Sequence, residues 1–268
     1  MGNAAATASA SLPSSLLATE LVGSVLTVGL NRPAKRNALN DGLMDEILTC
    51  FTDLPDGIRA VVLHGIGDHF SAGLDLSELN DRDATAGLLH SQMWHRVFDK
   101  IQYCSVPVIA VLRGAVIGGG LELACAAHIR VAEPSAYYAL PEGSRGIFVG
   151  GGGSMRLPRL IGTARMVDMI LTGRVYSAGE GVALGFSQYL TDAGGAFAKA
   201  LELASRVAEN APLTNFAVLQ ALPMIAEANP QTGLLMESLM AAVAQSDQEA
   251  KKRMRAFLDH KTAKVRSA

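Results

Sequence analysis

The stretch VIGGGLELACAAH contains a carboxylate two residues after a run of three glycines. Glu122 follows Gly118, Gly119 and Gly120 at the start of an apolar helical pattern. The first N–H groups of a helix lack intrahelical partners, and the helix dipole makes that end positive, so it favours an anion. A carboxylate at Glu122 repels a phosphate, whereas an oxyanion formed during a reaction can lie beside a carboxylate that acts as base. Close packing of helix on strand is the alternative explanation of the glycines.

A second carboxylate, Glu142, follows Pro141 in a loop after the apolar segment AYYAL. A loop carboxylate is most often solvated. Two carboxylates in glycine-rich segments are nevertheless the usual pair for general acid–base chemistry, with burial raising the pKa of at least one. We therefore predict Glu122 and Glu142 as catalytic residues.

The segment HFSAGLDL, residues 69–76, contains a third candidate feature. Ala72 and Gly73 allow a ligand to approach the main chain, and the Leu74 N–H can point at that ligand. A tight turn that depends on Gly73 is the alternative. The other motifs of site chemistry are missing from the sequence: there is no HExxH or His/Cys cluster for a metal, no dinucleotide fingerprint, no P-loop lysine and no G-x-S-x-G elbow. We expect no metal and no separate cofactor.

Composition narrows the class of protein. The chain has 268 residues, 49% of them hydrophobic and 18% charged, with a net charge of −2, which is typical of a globular protein with an ample core. No charge excess favours nucleic acid or an anionic membrane, and no apolar run is long enough for a membrane span. The three cysteines lie in apolar segments, as expected in a reducing compartment. We therefore expect a cytoplasmic protein without nucleic-acid or membrane partners.

The pattern along the chain positions these motifs. Alternating short apolar strands and helices fill residues 19–195, and mostly helical patterns fill residues 196–268. Asn40 is a predicted helix N-cap, Gly173 a helix C-cap and Pro212 a first-turn proline, while Ser246 and Glu249 form a predicted capping box. The uncharged residues 1–18 are predicted to be a flexible tail. The fold class is therefore α/β with a helical C-terminal region.

Together, the segments NRPAKRNALN, FSAGLDL, VIAVLRGAVIGGGLELA and ALPEGSRGIFVGGGGSMRL resemble the crotonase superfamily, which includes the enoyl-CoA hydratases and isomerases. They occur in the family's order and spacing, and the resemblance covers nearly the whole chain. It implies a spiral of ββα units followed by C-terminal helices that assemble trimers, often paired into hexamers. It also implies an enzyme of acyl-CoA metabolism, such as fatty acid β-oxidation, with coenzyme A as part of the substrate.

The resemblance also implies roles for individual residues. The backbone N–H groups of Leu74 and Gly119 form an oxyanion hole for the thioester oxygen. Glu122 activates a water for attack on the β-carbon of a 2-enoyl-CoA, and Glu142 delivers a proton to the α-carbon. The coenzyme A contacts implied are Lys35, Arg36, Ala38, Ala72, Asp75 and Leu76, with Phe257 and Lys261 reaching the coenzyme of a neighbouring subunit. The acyl-pocket candidates are Met93, Trp94, Phe98, Ile147 and Phe148, for which a simple place in the core is the alternative.

The sequence departs from the family's pattern at two places. His128 stands where an acid is usual, and FVGGGG replaces the usual I-P-G-A-G-G type of segment. We expect neither departure to touch the two glutamates, so both affect acyl specificity and leave hydration intact. The helix HSQMWHRVFDKI together with the FVGGGG segment resembles the methylthioacryloyl-CoA hydratase branch. Isomerisation or thioester hydrolysis on the same scaffold, and a catalytically silent binding protein, are the alternatives to hydration.

Overall fold

A computed structural model describes residues 15–78 and 83–259 of the chain. Most of its strands are short and lie in the first two thirds of the sequence, as the alternating patterns predicted. The strands are β1 Leu17–Val22, β2 Val25–Leu30, β3 Ala60–Gly65, β4 Val108–Leu112, β5 Ala115–Ile117, β6 Ile129–Ala132, β7 Tyr137–Ala139, β8 Tyr176–Ser177 and β9 Tyr189–Leu190.

The helices between and after the strands cover both sheets and then form the C-terminal region. They are α1 Asp41–Thr52, α2 Ala84–Gln102, α3 Gly119–Ala126, α4 Gly153–Ile161, α5 Thr163–Thr172, α6 Ala178–Leu184, α7 Ala196–Ala208, α8 Pro212–Phe216, α9 Leu222–Glu227, α10 Pro230–Ser246 and α11 Gln248–Leu258. A π-helical turn, Ala217–Ala221, joins α8 to α9. Within the described residues, no helix combines the length and the apolar character needed to cross a membrane.

The first four strands lie in one sheet, and from β4 to β7 successive strands alternate between this sheet and a second one. The larger sheet has the order β1-β2-β3-β4-β6-β9 and the smaller the order β5-β7-β8. After β3 the chain adds a strand to one sheet, then to the other, and then a helix: β4, β5 and α3 form one such unit. Repetition of this unit produces the predicted spiral of ββα units, and the fold is of the crotonase type.

Local signals in the sequence set several element ends. The β1–β2 hairpin turns at Gly23, whose φ of 62° lies in the left-handed region that glycine tolerates. The Asn40 side chain accepts a hydrogen bond from the Leu43 N–H and caps α1, as predicted. Gly173 closes α5 in the left-handed conformation, and Pro212 begins α8, also as predicted.

The capping box predicted at Ser246 is wrong by one residue. Asp247 is the N-cap of α11 and accepts from the Ala250 N–H, whereas Ser246 is the last residue of α10. The Ser246 hydroxyl donates back to the Val243 carbonyl, because a helix interior offers that acceptor to a serine. Both serine and aspartate can cap, and only the end of the preceding helix decides between them.

The core forms on both faces of the larger sheet. One cluster fills the space between the two sheets and helices α1 to α6. On the opposite face, Ala200, Leu203 and Ala204 of α7 pack against Val62 and Val131 of the sheet. Helix α7 therefore covers the sheet, although the sequence analysis assigned it to the C-terminal region.

The N-terminal boundary also differs slightly from the expectation. Strand β1 begins at Leu17, two residues before the predicted boundary, and the Ser15 hydroxyl donates to the Glu46 carboxylate. The backbone N–H groups of Leu16 and Leu17 donate to the same carboxylate. The remaining residues of the predicted tail lie outside the described ones, and the division of the chain into domains stays a prediction.

Candidate active site

One cavity of about 450 Å³ gathers residues from segments that are far apart in the sequence. They come from the loop before α2, from α2 itself, from the start of α3 and from residues 142–151. The lining residues are Leu74, Gly87, His90, Ser91, Trp94, Gly119, Glu122, Glu142, Ile147, Phe148, Val149, Gly150 and Gly151. The predicted oxyanion-hole residues and both predicted catalytic glutamates are therefore neighbours in space.

Backbone pairing brings the SAGL segment against the glycine run. The Ser71 N–H donates to the Ala115 carbonyl, and the Ile117 N–H donates to the Ser71 carbonyl. Gly73 has a φ of 84°, and a Cβ at this position would lie 2.6 Å from the Ile117 carbonyl oxygen. A side chain at residue 73 does not fit between the two backbone segments. The close contact between these segments therefore requires glycine at this position.

The N–H groups of Leu74 and Gly119 meet at the cavity. Among residues 15–78 and 83–259, neither N–H donates a hydrogen bond. A Cβ built on Gly119 would lie 3.6 Å from the Leu74 nitrogen and 2.6 Å from Cζ3 of the Trp94 ring. Gly119 is the first residue of α3, so its N–H is also one of the unpaired donors at the positive end of the helix. The two donors can therefore serve one external acceptor.

Glu122 is buried in the first turn of α3, with 3% of its surface exposed. Its Oε1 accepts hydrogen bonds from the Gly153 N–H at 2.7 Å and the Gly151 N–H at 2.9 Å. Burial raises the pKa of Glu122 to about 7, because the charged form loses hydration. The two N–H donors oppose this rise, and nearby Glu142 adds to it. A carboxyl group with such a pKa can exchange protons near neutral pH.

Glu142 is also buried, and it lies in the loop after β7. Among the described residues, its Oε2 has no hydrogen-bond partner. A Cβ on Gly118 would lie 2.8 Å from Glu142 Oε1, so the glycine run leaves room for this carboxylate. Burial also raises the pKa of Glu142, against a lowering effect of Arg145. A buried polar atom without a partner is costly, which is typical of a group that acts on a ligand.

Two glycines of the run 150–153, Gly151 and Gly153, hold the Glu122 carboxylate, which was not among the predictions from the sequence. We expected the FVGGGG departure to leave both glutamates untouched, and this is wrong, since Gly151 and Gly153 bind Glu122. The signal was present, because a second glycine run opens a helix just as the first one does. The His128 departure, in contrast, does not touch the glutamates: Nδ1 accepts from the Val108 N–H, and Nε2 lies 2.9 Å from the Gln102 carbonyl oxygen.

The acyl-pocket candidates divide into two groups. Trp94, Ile147 and Phe148 line the cavity, whereas Met93 and Phe98 do not. Phe98 is fully buried, and Met93 packs against the core. The face of α2 toward the cavity is instead formed by Gly87, His90, Ser91 and Trp94, which follow helical spacing. Met93, Trp94 and Phe98 are all apolar, and apolar residues are expected both on the core face and on the cavity face of α2. Residue type alone therefore could not predict which of them lines the cavity.

The loop implied in nucleotide binding is held by Asn37. Arg36 and Asn37 both have positive φ, 50° and 53°, in the left-handed region. The Asn37 side chain donates to the Ile66 and His69 carbonyls and accepts from the Arg32 N–H. Lys35 and Arg36 are exposed at the tip of this loop, next to buried Ala38.

Asp75 and Leu76, also implied in coenzyme A binding, differ in their surroundings. The buried Asp75 carboxylate accepts from Arg32 at 2.8 Å and from the Ser77 hydroxyl at 2.6 Å. These bonds, that of Ser77 first, lower the pKa of Asp75 to about 2. Its carboxylate therefore ties two loops together, while the Leu76 side chain is exposed. Ala72 joins the same loops, since its N–H donates to the Arg36 carbonyl.

Phe257 and Lys261 are the two residues implied in contacts with the coenzyme of a neighbouring subunit. Phe257 is half exposed on α11. Lys261 lies outside the described residues. Within the described part of the chain, no group of three or more His, Cys, Asp or Glu side chains could hold a metal ion.

Comparison with known proteins agrees with this geometry. Residues 20–267 match the family model described as enoyl-CoA hydratase/isomerase. The chain belongs to this family. The crotonase resemblance and the prediction of an enzyme of the enoyl-CoA hydratase family are thereby confirmed.

The family's members include relatives of nearly the same length. A "Probable enoyl-CoA hydratase" of Bacillus subtilis (strain 168) is 34% identical, over 91% of this chain and 95% of its own. The 2,3-dehydroadipyl-CoA hydratase of Escherichia coli (strain K12) is 34% identical, over 89% and 93%. The solved structure of a "putative enoyl-CoA hydratase" from Rhodopseudomonas palustris is 82% identical, with a TM-score of 0.90 over 94% of this chain and 97% of that one.

Proposed function

We propose that the protein is a 2-enoyl-CoA hydratase that adds water across the 2,3 double bond of its substrate. The observation that carries this proposal is the shared cavity, in which two buried carboxylates face two unpaired backbone N–H groups. Isomerisation requires only one carboxylate, so the presence of both favours hydration. The hydratase names of the Bacillus subtilis and Escherichia coli relatives support the same reaction.

The Leu74 and Gly119 N–H groups would bind the thioester oxygen. Addition to the β-carbon places negative charge on this oxygen as an enolate forms. Fixed donors aimed at developing charge stabilise the transition state, by about 3–4 kcal/mol for each donor in other enzymes. Because Gly119 begins α3, the positive end of the helix adds to this stabilisation.

Glu122 and Glu142 would hold one water between them. Ionised Glu122 accepts a proton from the water as its oxygen attacks the β-carbon, and protonated Glu142 gives a proton to the α-carbon. Both roles require groups that change protonation near neutral pH, and burial raises both pKa values in that direction. The two groups interact, so their titrations belong to the pair, and the assignment of base and acid follows the family's mechanism.

The remaining predictions belong to this proposal. Lys35 and Arg36, both exposed, would bind the phosphates of coenzyme A. Trp94, Ile147 and Phe148 would contact the acyl chain. We further propose a trimer or a pair of trimers, in which Phe257, half exposed on α11, and also Lys261 reach the coenzyme of a neighbouring subunit. We also propose a role in cytoplasmic acyl-CoA metabolism.

Hydration of crotonyl-CoA by Glu122→Gln and Glu142→Gln tests the proposal. Each variant should lose two to four orders of magnitude in kcat, since each removes an acid–base group while keeping the volume and hydrogen-bonding ability of the side chain. Glu202→Gln is the matched control, because Glu202 is exposed on α7 and far from the cavity. Near-native turnover by either active-site variant would contradict the assignment.

The same assay can separate hydration from thioester hydrolysis. Release of free thiol, measured with a thiol reagent beside the loss of the enoyl absorbance, would reveal cleavage of the thioester. We expect the absorbance change without thiol release. A panel of short, long, aromatic and sulfur-containing enoyl-CoAs would then define the acyl group and test the resemblance to methylthioacryloyl-CoA hydratase.

A further inference from the structure

Arg156, in the first turn of α4, is buried and contacts three different partners behind the catalytic cavity. Its Nη1 donates to the Gly151 carbonyl at 2.9 Å, its Nη2 to Asp99 at 2.6 Å and its Nε to the Gln102 side chain at 2.5 Å. Asp99 and Gln102 both belong to α2. The planar guanidinium group therefore connects α2 with the glycine run.

The orientation of the glycine run depends on this connection. The Gly151 carbonyl points to Arg156, and the N–H groups of Gly151 and Gly153 on either side of it point to Glu122. Gly152, between them, has a φ of 89°, and a Cβ there would collide with the Arg156 guanidinium. Rotation of the Gly151–Gly152 peptide would break the Arg156 contact, and a shift of this loop would displace the Gly151 and Gly153 N–H groups from Glu122.

We propose that Arg156 is a positioning residue for Glu122: by holding the Gly151 carbonyl, it fixes the loop whose two N–H groups bind the catalytic carboxylate. The proposal rests on the proposed role of Glu122 in hydration. Arg156 does not line the catalytic cavity, so it acts through the loop and not on the substrate.

The surroundings of Glu122 define how this role can be measured. The charged or titratable groups that influence Glu122 are Glu142, which raises its pKa, and Arg156, which lowers it. Cys125 on α3 also interacts with Glu122 and is itself held as a thiol by burial. From α2, Asp99 approaches only the far side of the Arg156 guanidinium. Loss of the two N–H bonds together with the Arg156 charge should raise the pKa of Glu122.

Arg156→Met is the most informative change, because methionine keeps much of the volume but donates no hydrogen bond. Infrared spectroscopy of protein with ¹³C-labelled glutamate, with Glu122→Gln to assign the carboxyl band, measures the pKa of Glu122 without turnover. We expect this pKa to rise by about one unit or more, because Glu122 loses the nearby Arg156 charge and the fixed N–H donors that stabilise its ionised form. The acid limb of the kcat profile should move upward equally. For a rise of about one unit from a pKa of about 7, the ionised fraction at pH 7 falls about fivefold, so kcat should fall about fivefold with little change in KM.

Two further variants make the test specific. Arg159→Met is the matched control. Arg159 lies one turn further along α4, is half exposed, and pairs with Glu227 and the Met155 carbonyl instead of the glycine run. It should leave the pKa and the pH profile unchanged. Arg156→Lys should give an intermediate shift, because one ammonium group cannot reach all three partners, and it serves as the deciding variant if Arg156→Met does not fold.

The outcomes distinguish this proposal from the proposed function. An unchanged pKa of Glu122 in folded Arg156→Met, or an equal shift in Arg159→Met, would overturn the positioning role. A raised pKa supports it even if Glu122→Gln keeps full turnover. In that case the positioning of the carboxylate would stand, and only the assignment of Glu122 to hydration would fail.

Discussion

The two glutamates of the cavity lie in opposite kinds of surroundings. Glu122 belongs to a helix, and its Oε1 accepts two backbone hydrogen bonds from the glycine run. The Arg156 guanidinium donates to the Gly151 carbonyl of the same run. Glu142 belongs to a loop, and its Oε2 is buried without a partner among the described residues. Ile147 and Phe148, which follow it, are largely exposed.

This difference agrees with the separate roles proposed for the two carboxylates. A base that must activate a water needs a fixed position, because catalysis depends on the alignment of the reacting atoms. A general acid needs a carboxyl oxygen that is not hydrogen-bonded to the protein and can donate its proton to the substrate. Two backbone hydrogen bonds hold Glu122 in place, and Oε2 of Glu142 has no partner among the described residues, although burial raises the pKa of both.

The largest effect expected from this comparison concerns the glycine run. In Gly153→Ala, the new Cβ would lie 2.6 Å from Glu122 Cγ and 2.8 Å from its Oε1, so the carboxylate must move. We expect kcat for crotonyl-CoA to fall about a hundredfold, and the free energy of unfolding to fall by about 1–3 kcal/mol. Steady-state kinetics and urea unfolding measure the two effects.

Gly150→Ala is the matched control for this change. Its Cβ would lie 3.7 Å from the Ser91 hydroxyl, an ordinary contact, and Gly150 does not have a positive φ. We expect near-native turnover and stability. Equal losses in the two alanine variants would show that the loop tolerates no side chain anywhere and that the contact with Glu122 is not the cause.

The second effect is a dependence of stability on pH. The pKa of Glu122 rises from an ordinary value of 4.5 to about 7 on folding, so between these values the folded protein binds the proton more strongly than the unfolded chain does. The stabilisation by the protonated form is complete below about pH 4.5 and is lost as the pH rises through about 7. The loss amounts to about 3 kcal/mol at 1.36 kcal/mol for each pKa unit.

Urea unfolding of the wild type and of Glu122→Gln at one protein concentration, between pH 4.5 and 8, isolates this contribution. The difference in free energy of unfolding between the two proteins should change by this amount across that range. A constant difference would mean that Glu122 has an ordinary pKa and that the buried, hydrogen-bonded arrangement does not hold in solution.

The smallest effect is expected at the exposed end of the Glu142 segment. Phe148 is 69% exposed and lines the cavity without contributing to the core. Phe148→Ala should change the free energy of unfolding by less than about 0.5 kcal/mol. It should raise KM about threefold for acyl chains long enough to touch the ring, since little apolar surface is buried there.

Leu171→Ala provides the matched comparison, because Leu171 is 79% exposed on α5 and does not line the cavity. It should change neither stability nor KM. If Phe148→Ala instead lowered kcat as strongly as Glu142→Gln, the segment after Glu142 would be a rigid part of the catalytic apparatus, and the contrast between the two glutamates would be wrong.

Local features of the fold could be predicted because their causes are local. A cap at Asn40, a helix end at Gly173 and a helix start at Pro212 each depend on the conformational preferences of a few adjacent residues. The error at Ser246 has the same origin, since Asp247 satisfies the same rule and the choice depends on where α10 ends.

The errors at the site have a different origin. Met93 and Phe98 are as apolar as Trp94, and the face of α2 that meets the cavity is decided by packing against α3 and the residues 147–151. The partners of Glu122 lie about thirty residues further along the chain, in the glycine run. No spacing rule connects two such segments, so neither their contact nor the role of Arg156 could be derived from the pattern.

The sequence by itself determined the chemical types available to this protein: two carboxylates, two glycine runs at helix starts and an α/β pattern typical of the crotonase family. These depend on residue identity and order. Only the tertiary structure decided which oxygen of Glu122 is held, which atom of Glu142 stays unpaired and which side of α2 faces the cavity. The physical reason is that burial and hydrogen bonding depend on distances in space, which packing sets between segments that are remote in sequence.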